Sequence, residues 1–194
     1  MKAKGTEKKI LEAGLVLFSK KGYIGATTKE IAKKAGVAEL TLFRHFSSKE
    51  RLFKEIINRY SFLPTLKGLM PEILNLDYSE ALYVIAGKFM ERLYERRELI
   101  KIMHAEIHRY PANVRGIYHN FIGEIFRSLA GYFMELQQRG ILRNFVPELG
   151  AKAFLGMFFS YFNAQEILEL KKEDPPNDVI IREFVGIFVK GTLK

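Results

Sequence analysis

Between residues 27 and 49 the chain reads TTKEIAKKAGVAELTLFRHFSSK, side chains suited to holding a polyanion rather than to breaking a bond. Ala38, Glu39, Thr41, Arg44 and His45 fall on the exposed side of one short helix. They form a face of small and polar groups that fits a major groove, where base edges present donors and acceptors. A second constellation lies further on, where His104 and His108 stand four residues apart with Glu106 between them and His119 beyond. Two imidazoles at that spacing share one helical face and can hold zinc or nickel if a third ligand arrives. The plainer alternative is a pair of exposed or pocket-mouth histidines. HAEIH is not the zinc-protease pattern, because the glutamate does not directly follow the first histidine. The chain has no cysteine, hence no thiolate ligand, disulfide or cysteine nucleophile. It shows no phosphate-binding glycine loop and no nucleophile paired with a base. The expectation is therefore no catalytic residue, no cofactor and no enzyme, with a metal-responsive regulator through His104 and His108 as the alternative reading.

The polar face needs a frame. Thr27 followed by Glu30 is a capping box, and Ser47 with Glu50 reads as another, so two helices start there. Gly36 lies between two short helical segments and can supply the left-handed backbone that ends the first abruptly. Ile31, Ala32 and Ala35 share a face of the first segment, while Val37, Leu40 and Phe43 at i, i+3 and i+6 give an apolar face to the second. This pattern predicts a helix-turn-helix. An upstream helix over residues 6–21, capped by Thr6 and stopped by Gly22, braces it with Ile10, Leu11, Ala13, Leu15, Leu17 and Phe18. After Ser47 a longer helix carries Leu52, Phe53, Ile56, Ile57 and Tyr60 to near Pro64.

The charge agrees. The chain of 194 residues has a net charge of +9; residues 1–60 hold 14 Lys/Arg and 6 Asp/Glu, a net of +8, and residues 61–194 hold 17 and 16. Positive charge concentrated on a helix-turn-helix is the footprint expected for phosphate contacts. With 48% apolar residues the chain can bury a substantial core, and no run of 18 apolar residues suggests a membrane span. The start MKAKGTEKK leads into an amphipathic helix rather than a signal peptide, so a cytoplasmic location and no membrane partner are expected.

The run from Thr27 through Gly36-Val37, then Thr41-Leu42-Phe43-Arg44-His45-Phe46 and Ser48-Lys49-Glu50, resembles the DNA-binding domain of the TetR family of bacterial transcriptional repressors. The likeness extends upstream to Phe18-Ser19-Lys20-Lys21-Gly22-Tyr23 and covers roughly the first 55 residues; further on, only the segment around Arg109-Tyr110-Pro111 is similar. The resemblance implies that Thr28 and the helix start beside it meet a phosphate, and that Lys29 reaches a phosphate or a base edge. It implies that Ala38, Glu39, Thr41 and Arg44 face the groove, with His45 and Lys49 on backbone phosphates. Three positions depart from the family pattern: Ala38 where a capping Ser is common, Leu40 where Gly is common, and Phe43 where a Tyr hydroxyl usually reaches a phosphate. Phe43 stays in the DNA-binding set without that hydroxyl. Glu39 can accept from a cytosine amino group or repel wrong sequences.

Beyond Pro64 the pattern stays helical and nothing reads as a sheet. Helices are expected before Asn75, from an Asp77 cap to about residue 97, on to Tyr110 where Pro111 interrupts, over 114–139 closed by Gly140, over 148–170, and over 177–190 after the linker Lys171-Lys172-Glu173-Asp174-Pro175-Pro176. The expected fold is all-α, with an N-terminal three-helix DNA-binding domain over residues 1–50 and a C-terminal helical effector-binding and dimerisation domain over 51–194. Phe89, Met90, Met103, His104, Phe121, Phe126, Met157, Phe158 and Tyr161 are candidates to enclose a small, largely apolar effector, an expectation the resemblance strengthens; as plain core they would simply fill the interior. AFLGMFFSYF over residues 153–162 is apolar nearly all round, and Phe184, Val185, Ile187 and Phe188 repeat the problem. One chain can hardly cover both helices, so a homodimer through the last two is expected, with Gly156 and Gly186 allowing close approach. Two recognition helices set about 34–36 Å apart would then meet successive major grooves of a palindromic double-stranded operator.

Overall fold

The structure is a computed structural model that describes residues 2–170 and 175–194. Among the described residues the regular elements are helices: α1 (Lys2–Gly25), α2 (Thr28–Ala35), α3 (Glu39–His45), α4 (Lys49–Tyr60), α5 (Phe62–Ile73), α6 (Tyr78–Glu95), α7 (Arg97–Glu106), α8 (Ala112–Gln138), α9 (Pro147–Phe162) and α10 (Asn177–Thr192). A 3-10 turn, Ile107–Arg109, follows α7, and a π turn, Asn163–Ile167, follows α9. The only β pairing among these residues is an isolated bridge between Leu142 and Leu193. The expected all-α class is what forms.

The chain divides into two compact units, Met1–Ser61 with Arg96–Phe121, and Phe62–Glu95 with Ile122–Lys194. In the first, Ile10, Leu11 and Phe18 of α1 pack with Ile31 and Ala32 of α2, Leu42 of α3, Phe53 and Ile56 of α4, and Leu99 and Met103 of α7. Phe18 meets Phe53 edge-on at 5.3 Å between ring centroids, and Tyr23 meets Phe53 at 5.1 Å and Tyr110 at 5.6 Å. Aromatic rings in these tilted and edge-on arrangements add to what their burial contributes. Residues 96–121 thus complete the core beneath the helix-turn-helix.

Several local expectations are corrected. α1 begins at Lys2, ahead of the Thr6 cap, and it is interrupted at Gly22 (φ 68°, ψ 177°) before a last helical turn. α3 turns a different face inward. Leu42 and Phe46, at i and i+4, are the buried pair, whereas Leu40 is 64% and Phe43 41% exposed, and Val37 is half-buried. The reason is phase: Ala38 is still extended at the N-cap, so α3 starts at Glu39 and its inward stripe falls on 42 and 46. With Phe46 buried at the end of α3, the next helix cap moves to Ser48, whose hydroxyl accepts from the Arg51 N–H at 3.1 Å, so Ser47 with Glu50 forms no capping box. α4 ends at Tyr60, with Ser61 as its extended cap, and Pro64 lies in the first turn of α5, where its missing N–H has no helical carbonyl to lose. α9 ends at Phe162 rather than near Leu170.

In the second unit the Asp77 carboxylate caps α6 through the Ser79 N–H at 2.9 Å, and Pro71 lies inside α5. Phe62 packs tilted against Phe89 at 4.9 Å between ring centroids. Phe188 of α10 lies 5.6 Å from Phe133 of α8 and 5.0 Å from Phe154 of α9, while Phe158 lies 5.5 Å from Phe184. Deep in this core the Tyr78 and Thr192 hydroxyls bond at 2.8 Å. One chain therefore covers most of the aromatic bulk of α9 and α10 by itself, more than the sequence pattern suggests. Of the expected linker, Lys171, Lys172, Glu173 and Asp174 lie outside the described residues.

Candidate DNA-binding surface

The site is built from one reciprocal cap and a stop. Thr27 Oγ1 accepts from the Glu30 N–H at 3.2 Å, and the Glu30 carboxylate accepts from the Thr27 N–H at 3.1 Å, the reciprocal box the spacing predicts. Glu30 also takes the Lys21 ammonium at 2.6 Å, and that cation, then Thr27, holds its carboxyl down at about 2. Gly36 is left-handed (φ 70°, ψ 34°); its N–H reaches Lys33 O at 3.2 Å, and the Val37 N–H reaches Ala32 O at 3.0 Å. That closing pattern ends α2 in one residue and frees α3 to leave at an angle.

α3 exposes Ala38, Leu40, Phe43 and Arg44, with Glu39, Thr41 and His45 half-buried. Thr28 Oγ1 donates to Glu39 Oε1 at 2.7 Å, tying the first turn of α2 to the first turn of α3 and occupying both the hydroxyl and the carboxylate. Lys29 and Arg44 are exposed and have no hydrogen bond or ion pair among the described residues. Lys49 instead folds back: its Nζ stands 4.5 Å over the Tyr23 ring and donates to Ile24 O at 3.4 Å, and burial lowers its pKa. Burial, with the Glu50 carboxylate, pushes the Tyr23 phenol up. The residue that sequence reasoning misses on this surface is Leu40, assigned to the buried face by an i, i+3 count begun two residues too early. Its signal is that Leu42 and Phe46 already satisfy an i, i+4 stripe.

The effector candidates fall in both units. Met103 belongs to the core of the first, Phe121 packs half-buried against that core, and His104 is exposed there. Phe89, Met90, Phe126, Met157, Phe158 and Tyr161 belong to the second; Phe89, Met90 and Phe158 are buried, and Phe126, Met157 and Tyr161 are half-buried. His104 closes α7 while His108 lies in the 3-10 turn after it, so the pair does not share one regular α-helical face. His108 and His119 are exposed, and no group of three or more His, Cys, Asp or Glu among the described residues is placed to hold a metal ion.

Residues 10–56 match the family model of bacterial regulatory proteins of the tetR family, and residues 80–190 match that of the AefR-like transcriptional repressor C-terminal domain. The chain is 30% identical over 190 residues to the HTH-type transcriptional regulator YvkB of Bacillus subtilis, covering 96% of each. It is 28% identical over 124 residues, covering 63% of this chain and 64% of the relative, to IcaR of Staphylococcus aureus, a negative transcriptional regulator of the biofilm operon icaADBC. Its fold is that of the transcriptional regulator FadR of Bacillus subtilis in complex with stearoyl-CoA, with TM-score 0.77, 18% identity, and coverage of 95% of this chain and 98% of that one. No helix among the described residues is long and apolar enough to cross a membrane. These matches are to DNA-binding regulators and not to enzymes, and the chain belongs to the TetR family of bacterial transcriptional regulators.

Proposed function

We propose that the chain is a homodimeric repressor, acting in the cytoplasm, that binds a palindromic operator and releases it when a small, largely apolar effector occupies the helical domain. The observation that carries the reading is the outward face of α3, where Ala38, Leu40, Phe43 and Arg44 stand free on a capped, close-packed frame with exposed Lys29 alongside in sequence on α2. Thr28, Glu39, Thr41, His45 and Lys49 border that face. Phosphate contacts by the lysines and the α2 start fix the register, and α3 meets base edges.

Dimerisation is supported by what α9 and α10 leave uncovered. Leu149, Ala153, Gly156 and Ser160 are exposed at i, i+4, i+7 and i+11 of α9, and Ile187 is 62% exposed on α10. A Cβ at Gly156 or Gly186 would meet nothing within 4 Å, leaving room for a partner helix. The homodimer through the last two helices rests on this narrow stripe rather than on the aromatic core.

For the effector, the half-buried Phe126, Met157 and Tyr161 are the side chains an apolar molecule reaches with least disturbance, while Phe89, Met90 and Phe158 are buried in the same unit. FadR with stearoyl-CoA makes an acyl-CoA the first probe to try. The mechanism is population shift: the effector binds better to the dimer whose recognition helices are wrongly spaced, and about 2 kcal/mol of coupling weakens operator binding about thirtyfold. Selection of binding sites from random duplexes, followed by titration with stearoyl-CoA, tests it. A two-fold symmetric site that the ligand releases is expected; no preference over bulk DNA rejects the reading.

A further inference from the structure

Leu40 and Phe43 are separated by one turn of α3 and both point away from the core, which Leu42 and Phe46 already fill. Residues at i and i+3 on a helix are side by side, so their side chains form one apolar ridge on the face otherwise carrying Ala38 and Arg44. Single exposed apolar residues are ordinary. Two on a helix of seven residues, at the centre of a surface whose uncommitted charges are the cations Lys29 and Arg44, ask for a partner both anionic on its rim and apolar at one point inside. Among the groups displayed in a major groove, the C5-methyl of thymine is the apolar one.

We propose that Leu40, flanked by Phe43, is a specificity-determining residue that reads thymine by packing against its C5-methyl group. The assignment rests on the DNA-binding reading above and adds to it which base the helix prefers. Neither the backbone contacts of the lysines nor the Thr28–Glu39 pair can make this distinction, because neither presents an apolar surface to a base. The leucine isobutyl group is the right size to cover a methyl, and its exposure means that the free protein loses little when it is shortened.

The test uses the full-length protein and a symmetric site selected from random duplexes. Each thymine is replaced in turn by deoxyuridine, which removes the methyl and leaves pairing intact. One thymine per half-site should lose about fourfold in affinity on replacement, about one buried methyl, and Leu40→Ala should bind the thymine and deoxyuridine duplexes equally. Leu40→Ala should melt at the wild-type temperature, and the wild-type deoxyuridine scan needs no variant at all. A selected site with no sensitive thymine, or a variant that keeps the wild-type ratio, overturns the assignment while leaving the regulator reading intact. A change of oligomeric state in Leu40→Ala with the thymine ratio unchanged reassigns the ridge to protein contact. Failure to select any site removes both readings together.

Discussion

The phenol oxygen of Tyr110 accepts a hydrogen bond from the backbone N–H of Tyr23 at 3.2 Å, across 87 positions of sequence. Tyr110 is 1% exposed and its hydroxyl also approaches Glu106 Oε2 at 3.4 Å. The bond holds the last turn of α1, just after Gly22 and four residues before the capping box. Tyr110→Phe keeps the ring among Phe53 and Tyr23 but leaves that N–H without its partner. A loss of about 1–3 kcal/mol in urea unfolding is expected, the cost of an unpaired buried donor; an unchanged midpoint would show that the bond contributes nothing.

Gly22 completes the same corner. At φ 68° and ψ 177° it occupies a region open essentially to glycine alone, and a Cβ there would overlap the Glu106 carboxylate. Gly22→Ala should therefore destabilise by about 1–3 kcal/mol. Adding Glu106→Ala should recover only the steric part, because the backbone strain remains. Full recovery in the double variant would place the whole cost in the clash.

The signals that sequence carries well here are the local ones. Thr27 closes on Glu30 three residues ahead, and Gly36 ends α2 on carbonyls three and four residues behind it, so the geometry of each is legible from spacing. Leu40 and Phe43 mislead because a seven-residue helix shows barely two turns of periodicity, and a shift of its start by two residues exchanges its faces. Tyr110 and Glu106 leave no mark near Tyr23: what joins them is the return of α7 to α1, a tertiary event with no local pattern. The same holds for the inclusion of residues 96–121 in the unit that holds the helix-turn-helix, and for the division of the effector candidates, where Met103 is core of that unit and Phe121 packs against it although their residue types match Met157 and Phe158.

Glu30 gives the frame an acid-sensitive contact. Its carboxyl sits at about 2 against an ordinary 4.5, chiefly through Lys21. A depressed folded-state pKa stabilises above the unfolded value, so this contribution is complete above about pH 4.5 and is lost as pH falls toward 2. Glu30→Gln should flatten the pH dependence of unfolding in that window and leave it unaltered near neutrality. Because the pair is exposed, added salt should shrink the difference; a difference insensitive to salt would point instead to the Thr27 bonds.

Lys49 begins from a committed position over Tyr23, and a phosphate must draw it away from a ring contact worth about 0.5–1 kcal/mol. Lys29 starts free. Replacing either with Ala should reduce the slope of log K against log salt by about one unit per protomer, but Lys29→Ala should cost more affinity. An unchanged slope for Lys49→Ala would leave that ammonium on Tyr23 in the complex and restrict its role to holding the α1–α2 connection.

The stripe on α9 and α10 makes the assembly testable apart from DNA. Leu149 is 60% and Ile187 62% exposed, so a charge at either position costs the isolated chain little, within about 0.5 kcal/mol. In a symmetric interface the same charge is buried twice, once from each protomer, without water to solvate it. Ile187→Asp should therefore sediment as a folded monomer at concentrations where the parent is dimeric, and it should bind a half-site about as well as a full palindrome. Gly156→Leu should act sterically toward the same end, since its side chain enters the space a partner helix needs. If both variants remain dimers, the two-fold contact lies elsewhere on the chain, and the spacing of the α3 helices must be set by other elements.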